Sequence, residues 1–246
     1  MRLVQEVSFT KSLEIKQLGE LDRIRAEYAR RRQEIAPDFY GWQRVVTQYY
    51  LSRIMTAAIR GLATIDMFPL DGRSVLDVGC GEGNWLLEFS QWGVAASDLH
   101  GLDLDLQRLS NARRKLPTAE LQCGSAGQLP WPGASFDLVS QFTVFTSVLQ
   151  PQLRNSMAQE MLRVLKPAGA ILWYDLRRNN PRNPNVRGIG AGEIRSLFPG
   201  CSVRLQSVTL APPLARVVVP CSWMAALMLE KLPFLRTHYV GIIRKL

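Results

Sequence analysis

Residues 71–246 predict an α/β domain: a doubly wound, mostly parallel seven-stranded sheet with helices on both faces. A helical cap over residues 1–70 precedes it. Three observations carry this expectation. Short apolar segments alternate with helix-like ones from Ser74 onward, the first apolar segment runs into a cluster of glycines, and the region before Pro69 shows helical spacing alone.

In the cap, residues 11–36 place Leu13, Leu18, Leu21, Ile24 and Tyr28 at helical spacing, and residues 39–66 form a second, aromatic-rich helical stretch. Pro69 and the Asp71–Gly72 turn pair end it. Strands are then expected at Ser74–Val78, up to Asp103, at Ala119–Cys123, Phe136–Ser140 and Ala170–Tyr174. Helices fall between them at Asn84–Trp92, Leu106–Leu116 and Gln152–Leu165, the last stopped by Lys166–Pro167. A loop rich in arginine and asparagine occupies 175–187, and Ile194–Phe198 reads as helix. A late hairpin is expected from strands 202–209 and 238–244, with a helical insertion near 212–233 that is interrupted around Pro220.

Composition narrows the functional classes. With 47% hydrophobic and 21% charged residues the chain is globular. The opening MRLVQEVSFTKSLEIKQ lacks a signal-type apolar core. Its longest apolar run, Val217–Leu229, falls short of the roughly 18 residues a membrane crossing needs. A cytoplasmic location with reduced thiols is therefore expected for the four cysteines, which lack C-x-x-C spacing and have only two histidines as co-ligands, so no metal site is expected. The net charge of +9 favours anionic partners without choosing among phosphates, acidic glycans, nucleic acid or a membrane face.

The segment Val75-Leu-Asp77-Val-Gly79-Cys80-Gly81-Glu-Gly83-Asn-Trp85 carries the chemistry. Glycines directly after a strand and before a helix let the backbone turn tightly and approach a ligand. A dinucleotide fingerprint is disfavoured, because Asn84 stands where its third glycine belongs and the Asp77 and Glu82 carboxylates would repel a pyrophosphate. A ligand with cationic groups and a carboxylate suits the turn better. Asp103, 20 residues after Gly83 at a strand end, can accept from two ribose hydroxyls, and Asp105 reads as a helix cap.

Together Asp77–Asn84, Gly101–Asp103, QLPWPGASFDLV at 128–139 and RVLKPAG at 163–169 resemble the class I, Rossmann-like S-adenosylmethionine-dependent methyltransferase superfamily, over about residues 74–175. The resemblance implies S-adenosyl-L-methionine as cofactor and S-adenosyl-L-homocysteine as product. It implies a cofactor site from Asp77, Gly79, Cys80 and Gly81, with Asp103 on the ribose, Leu104 beside the adenine, Ser125 and Ala126 at the adenine edge, and Gln141 after the fourth strand. Ser125 departs from the acid that many members carry there, and a hydroxyl accepts more weakly than a carboxylate. The ends of the chain, among them WYDLRRNNPRNPNVRGI at 173–189 and LRTHYVGIIRK at 235–245, resemble a bacterial group associated with polysaccharide or secondary-metabolite assembly.

Acceptor chemistry is expected at the carboxyl edge of the sheet. Asp175 is the first candidate to orient the acceptor or act as base, and His238 is the second. Arg177 and Asn180 offer donors to an anionic or hydroxylated acceptor, and Tyr28 and Tyr40 are candidates to fold over the pocket. The expected reaction is methyl transfer to a small-molecule or glycan acceptor, on oxygen. A nucleic-acid methyltransferase and a degenerate binding subunit are the alternatives. Nucleic acid is disfavoured because Gln141-Phe-Thr-Val stands where an N/D-P-P-Y/F block would. The VVVPCSWMAALML stretch either packs on the domain or exposes Trp223, Met224, Leu227 and Met228 to a lipid surface, with Arg216, Lys231 and Arg236 beside it.

Overall fold

The computed structural model describes residues 19–34, 43–180 and 183–246. Residues 19–34 are helical (α1), and α2 spans Val45–Ala63. There follow β1 (Val75–Val78), α3 (Asn84–Gln91), β2 (Leu99–Asp103), α4 (Leu106–Lys115), β3 (Glu120–Cys123), β4 (Phe136–Phe142), α5 (Pro151–Val164) and β5 (Leu165–Leu176). The later elements are α6 (Ala191–Leu197), β6 (Cys201–Leu210), α7 (Pro212–Cys221), α8 (Trp223–Glu230) and β7 (Arg236–Lys245).

The seven strands form one sheet in the order β3-β2-β1-β4-β5-β7-β6. The first five are parallel, and β7 runs antiparallel to both β5 and β6. All four residues of β1 are buried, as expected of a central parallel strand covered on both faces. The order reverses between β1 and β4, so a crevice opens at the carboxyl ends of β1, β2 and β4.

Successive strand residues divide between two cores. Val75, Leu172 and Ile242 join the core under α2, α3 and α4. Leu76, Ile171, Trp173 and Ile243 join the one under α1, α5 and α6. Side chains that alternate between faces along a strand produce this split. A third, smaller core lies between α2, α7 and α8, around Tyr49, Ala215, Val219 and Ala226.

The start of β5 departs from the sequence expectation. Lys166–Pro167 does not close a loop after α5, because β5 begins at Leu165, which pairs with Phe136. The register shifts between Phe136 and Leu138, and pairing resumes at Leu138 with Ala170. Pro167 thus sits in a bulged stretch that needs no ladder N–H from it. The break in the insertion falls at Ser222, near Pro220 as expected, and Pro220 itself lies in the last turn of α7. Ser222 caps α8 by accepting from the Ala225 N–H at 3.2 Å.

Candidate active site

The glycine turn is held against the end of β2. Gly79 N and Cys80 N both donate to the Leu102 carbonyl, at 2.7 and 3.0 Å. Gly79 and Gly81 have φ of +75° and +55°, which a side chain would strain. A Cβ on Gly79 would also lie 2.4 Å from Val144. The turn is therefore a cradle that only glycine leaves open.

Asp103 closes the other wall. One carboxylate oxygen accepts from Gly81 N at 2.8 Å and the other from Asp105 N at 2.9 Å. Each oxygen keeps a further lone pair for a ligand hydroxyl. Asp105 starts α4, accepting from the N–H groups of Gln107 and Arg108. That cap places Arg108 over the turn, with Nη1 3.6 Å from Asp103 Oδ2 and its guanidinium 5.3 Å from the centre of the Tyr28 ring. Burial opposes the charge on Arg108, but Asp103, with Tyr28, Asp105 and Glu82, raises its pKa overall. Behind the turn Asp77 is buried and takes the Ser140 hydroxyl at 2.7 Å. Burial first, and then the Asp103 charge, push its carboxyl up to about 7, against the Ser140 hydrogen bond and Arg108. Burial and the same two carboxylates push the Cys80 thiol up as well.

These walls bound a pocket. Gly79, Asp103, Leu104, Ser125, Ala126 and Tyr28 line it, so five of the expected cofactor residues and one expected acceptor residue meet there. Asp77, Cys80 and Gly81 stand next to it within or behind the turn. Ser125 Oγ also accepts from Gly127 N at 3.2 Å. Gln141 does not line the pocket. Its amide is engaged at both ends, accepting from Val144 N at 3.1 Å and donating to the Tyr174 carbonyl at 3.3 Å, so it braces the loop after β4.

The acceptor candidates are dispersed. Asp175 is buried and receives the Thr146 hydroxyl at 2.6 Å and the N–H groups of Thr146 and Leu176. Burial raises its carboxyl to about 6, with Thr146 opposing. It thereby clamps the short turn Phe145–Ser147, which lines the pocket through Ser147 and its flanking residues Val144 and Val148. His238 stacks on Tyr174, with ring centres 4.9 Å apart, and its Nδ1 meets the hydroxyls of Thr209 and Thr237. Burial lowers its pKa to about 4. Asp175 and Tyr174 alternate along β5, so Asp175 and His238 face opposite sides of the sheet and form no dyad. Arg177 lies over the Tyr239 ring, and Asn180 sits on an exposed loop; neither lines the pocket. Tyr40 lies outside the described residues.

Helix α1 crosses the pocket with Leu21, Ile24 and Tyr28. Glu20 accepts from Leu149 N and Arg23 donates to the Ser147 carbonyl, while Arg32 pairs with Asp105 on the other side. Of the residues not singled out from sequence, Leu153 and Met157 lie one turn apart on α5, so their shared face was readable from spacing. Arg108 had a weaker signal, its place just over one turn after Asp103 on an expected helix. Val144 and Val148 had none, since they sit in an irregular connection.

Residues 75–169 match the family model described as a methyltransferase domain. These residues thus resemble the class I, S-adenosylmethionine-dependent methyltransferase superfamily. The cofactor of that superfamily is S-adenosyl-L-methionine. The chain is 31% identical over 135 residues to a probable S-adenosylmethionine-dependent methyltransferase of Mycolicibacterium smegmatis, covering 52% of this chain and 50% of the relative. It is 36% identical over 119 residues to the phthiotriol/phenolphthiotriol dimycocerosates methyltransferase of Mycobacterium tuberculosis, covering 48% and 43%. A demethylmenaquinone methyltransferase of Bacillus licheniformis is 32% identical over 107 residues, covering 42% and 45%. The chain thus spans about half the length of the curated relatives it matches. Among solved structures, methyltransferases of Mesorhizobium loti and Archaeoglobus fulgidus share the fold, each with a TM-score of 0.56, at 17% and 16% identity. They cover 78% of this chain, and 100% and 94% of their own. Among the described residues no helix is long and apolar enough to cross a membrane, and no cluster of side chains suits a metal ion.

Proposed function

We propose that the protein transfers a methyl group from S-adenosyl-L-methionine to oxygen on a small-molecule acceptor, with lipid-like and glycan-type acceptors as the classes to try first. The observation that carries this reading is the joining of Gly79, Asp103, Leu104, Ser125 and Ala126 around one pocket beneath α1. The cradle fits the cofactor chemically. Asp103 would hold the ribose, Leu104 and Ala126 would flank the adenine, and the Asp77 and Asp103 carboxylates would favour the cationic end. When bound, the cofactor supplies an electrophilic methyl on sulfur.

The chain's own residues then position and shield. Residues Leu21, Ile24 and Tyr28 of α1 close the pocket to water, and Asp175, through Thr146, holds the turn that forms its acceptor side. In-line displacement at a sulfonium gains much of its rate from such placement. The acceptor proton leaves to solvent or to a base drawn near, and Asp175, held by Thr146 behind the pocket wall, remains the candidate to orient the acceptor. Relatives named for phthiotriol/phenolphthiotriol dimycocerosates and for demethylmenaquinone support a small, lipid-like acceptor. Calorimetry with S-adenosyl-L-methionine and S-adenosyl-L-homocysteine tests the cofactor half. Mass spectrometry of incubations with such acceptors, read as gain of one methylene mass, tests the transfer. Absence of cofactor binding would leave a degenerate binding subunit, and RNA retained on purification would move the acceptor to nucleic acid.

A further inference from the structure

Six of the nine exposed large hydrophobic side chains among the described residues fall between Leu214 and Phe234. Val217 is 69% exposed, Met224 68%, Phe234 64% and Met228 56%. The opposite stripes of the same two helices are buried: Ala215 and Val219 of α7, and Ala226 of α8, press onto Tyr49 and Leu210. Trp223 also turns inward, its ring edge-on to Tyr49 at 5.4 Å, and Leu227 packs on the same cluster. Because both helices set their buried stripes on one floor, their outward stripes share one side of the molecule. That side carries Leu214, Val217, Met224 and Met228, and the following turn adds Leu232 and Phe234.

The charge of the C-terminal segment is almost all of one sign. From Ile194 to Leu246 the chain has seven Lys and Arg residues and a single carboxylate, Glu230. Glu230 is 4% exposed and is neutralised internally, by Arg53 Nε at 2.9 Å, by the Tyr49 hydroxyl and by Thr209 N at 3.1 Å. No side-chain carboxylate of residues 194–246 therefore faces outward beside the apolar side chains, whereas Arg216 and Lys231 flank them. Apolar tips flanked by cations match an anionic bilayer, whose headgroups take the cations while the acyl boundary takes the tips. A protein partner of mixed surface charge would not call for such one-sided charge.

We propose that the outer face of α7, α8 and the turn after them docks the protein on the surface of an anionic lipid bilayer. The α7–α8 insertion reaches α2 and the end of β6 rather than the cofactor pocket, so docking leaves the pocket free.

The test is co-sedimentation of the full chain, without cofactor or acceptor, with phosphatidylcholine vesicles and with vesicles of equal parts phosphatidylcholine and phosphatidylglycerol. Binding should require phosphatidylglycerol and weaken as salt rises. Met224→Asp and Met228→Asp should each lower the partition coefficient about tenfold, the scale for losing one buried apolar side chain. Leu246→Asp, an exposed apolar residue elsewhere, should change nothing, and melting temperatures check that each variant is folded. No binding to the anionic vesicles, equal binding to neutral ones, or binding that survives both Asp substitutions overturns the proposal. So does a stable dimer in light scattering that the same substitutions dissociate, which would assign the face to a second copy. None of these outcomes touches the methyltransferase reading, which calorimetry tests separately.

Discussion

Arg108 Nη1 lies 3.6 Å from Asp103 Oδ2, so the carboxylate expected to hold the cofactor ribose already has a cation beside it. The same guanidinium covers Gly81, where an added Cβ would be 2.2 Å from Arg108 Nη2. Arg108 therefore competes for Asp103 and adds positive charge to a pocket proposed to take a cationic ligand. Arg108→Met should tighten S-adenosyl-L-methionine binding by roughly two- to fivefold, from the ~0.5–1 kcal/mol scale of a partly exposed pair. The gain should be smaller for S-adenosyl-L-homocysteine, which lacks the sulfonium charge. Titration calorimetry on both ligands checks this, and equal or weaker binding of both would contradict it.

Gly81→Val tests the cradle. Valine at φ +55° is strained, and its branched side chain would enter the space that the ligand and Arg108 share. Cofactor binding should disappear while the circular dichroism spectrum stays that of the parent. Normal affinity in the variant would show that the ligand does not meet this turn.

Asp103→Ala removes a charged acceptor that serves Gly81 N and Asp105 N as well as the ribose. Affinity should fall by roughly 1.5–3 kcal/mol, the range for hydrogen bonds to a charged group. An unchanged dissociation constant would take Asp103 out of the site.

Asp77 gives a pH signature. Its carboxyl is raised from 3.8 to about 7 by burial, so the folded state holds that proton more tightly than the unfolded chain does. The resulting stability is complete below about pH 4 and is lost as pH rises through about 7. Asp77→Asn is neutral throughout and escapes this loss. Its melting temperature relative to the parent should climb between about pH 4 and pH 8, and a difference constant across that range would refute the assignment.

Glu230 is the buried anchor of the insertion, binding α2 through Arg53 and Tyr49 and β6 through Thr209 N. Removing one partner of a buried ion pair costs about 3–5 kcal/mol. Glu230→Ala should therefore lower the melting temperature by roughly 10 °C in a chain of this size. A shift of a degree or less in scanning calorimetry would mean that the network is solvated.

Some of this was written locally and some was not. Val75 to Trp85 states a strand, a turn that needs positive φ and a helix start in consecutive residues, and Asp105 caps α4 through bonds to its own next residues. Backbone preference and short-range hydrogen bonds act over a few positions, so sequence alone determined the alternating α/β order, the glycine cradle and the acid at the end of β2. What shares a pocket depends on contacts between distant segments, and these only the tertiary structure decided. It set Tyr28 over Arg108, aimed Asp175 at Thr146 and put His238 on the opposite side of the sheet. It also turned Trp223 inward and Met224 outward, a choice local spacing left open, because only the floor supplied by Tyr49 and Leu210 distinguishes the two sides of α8.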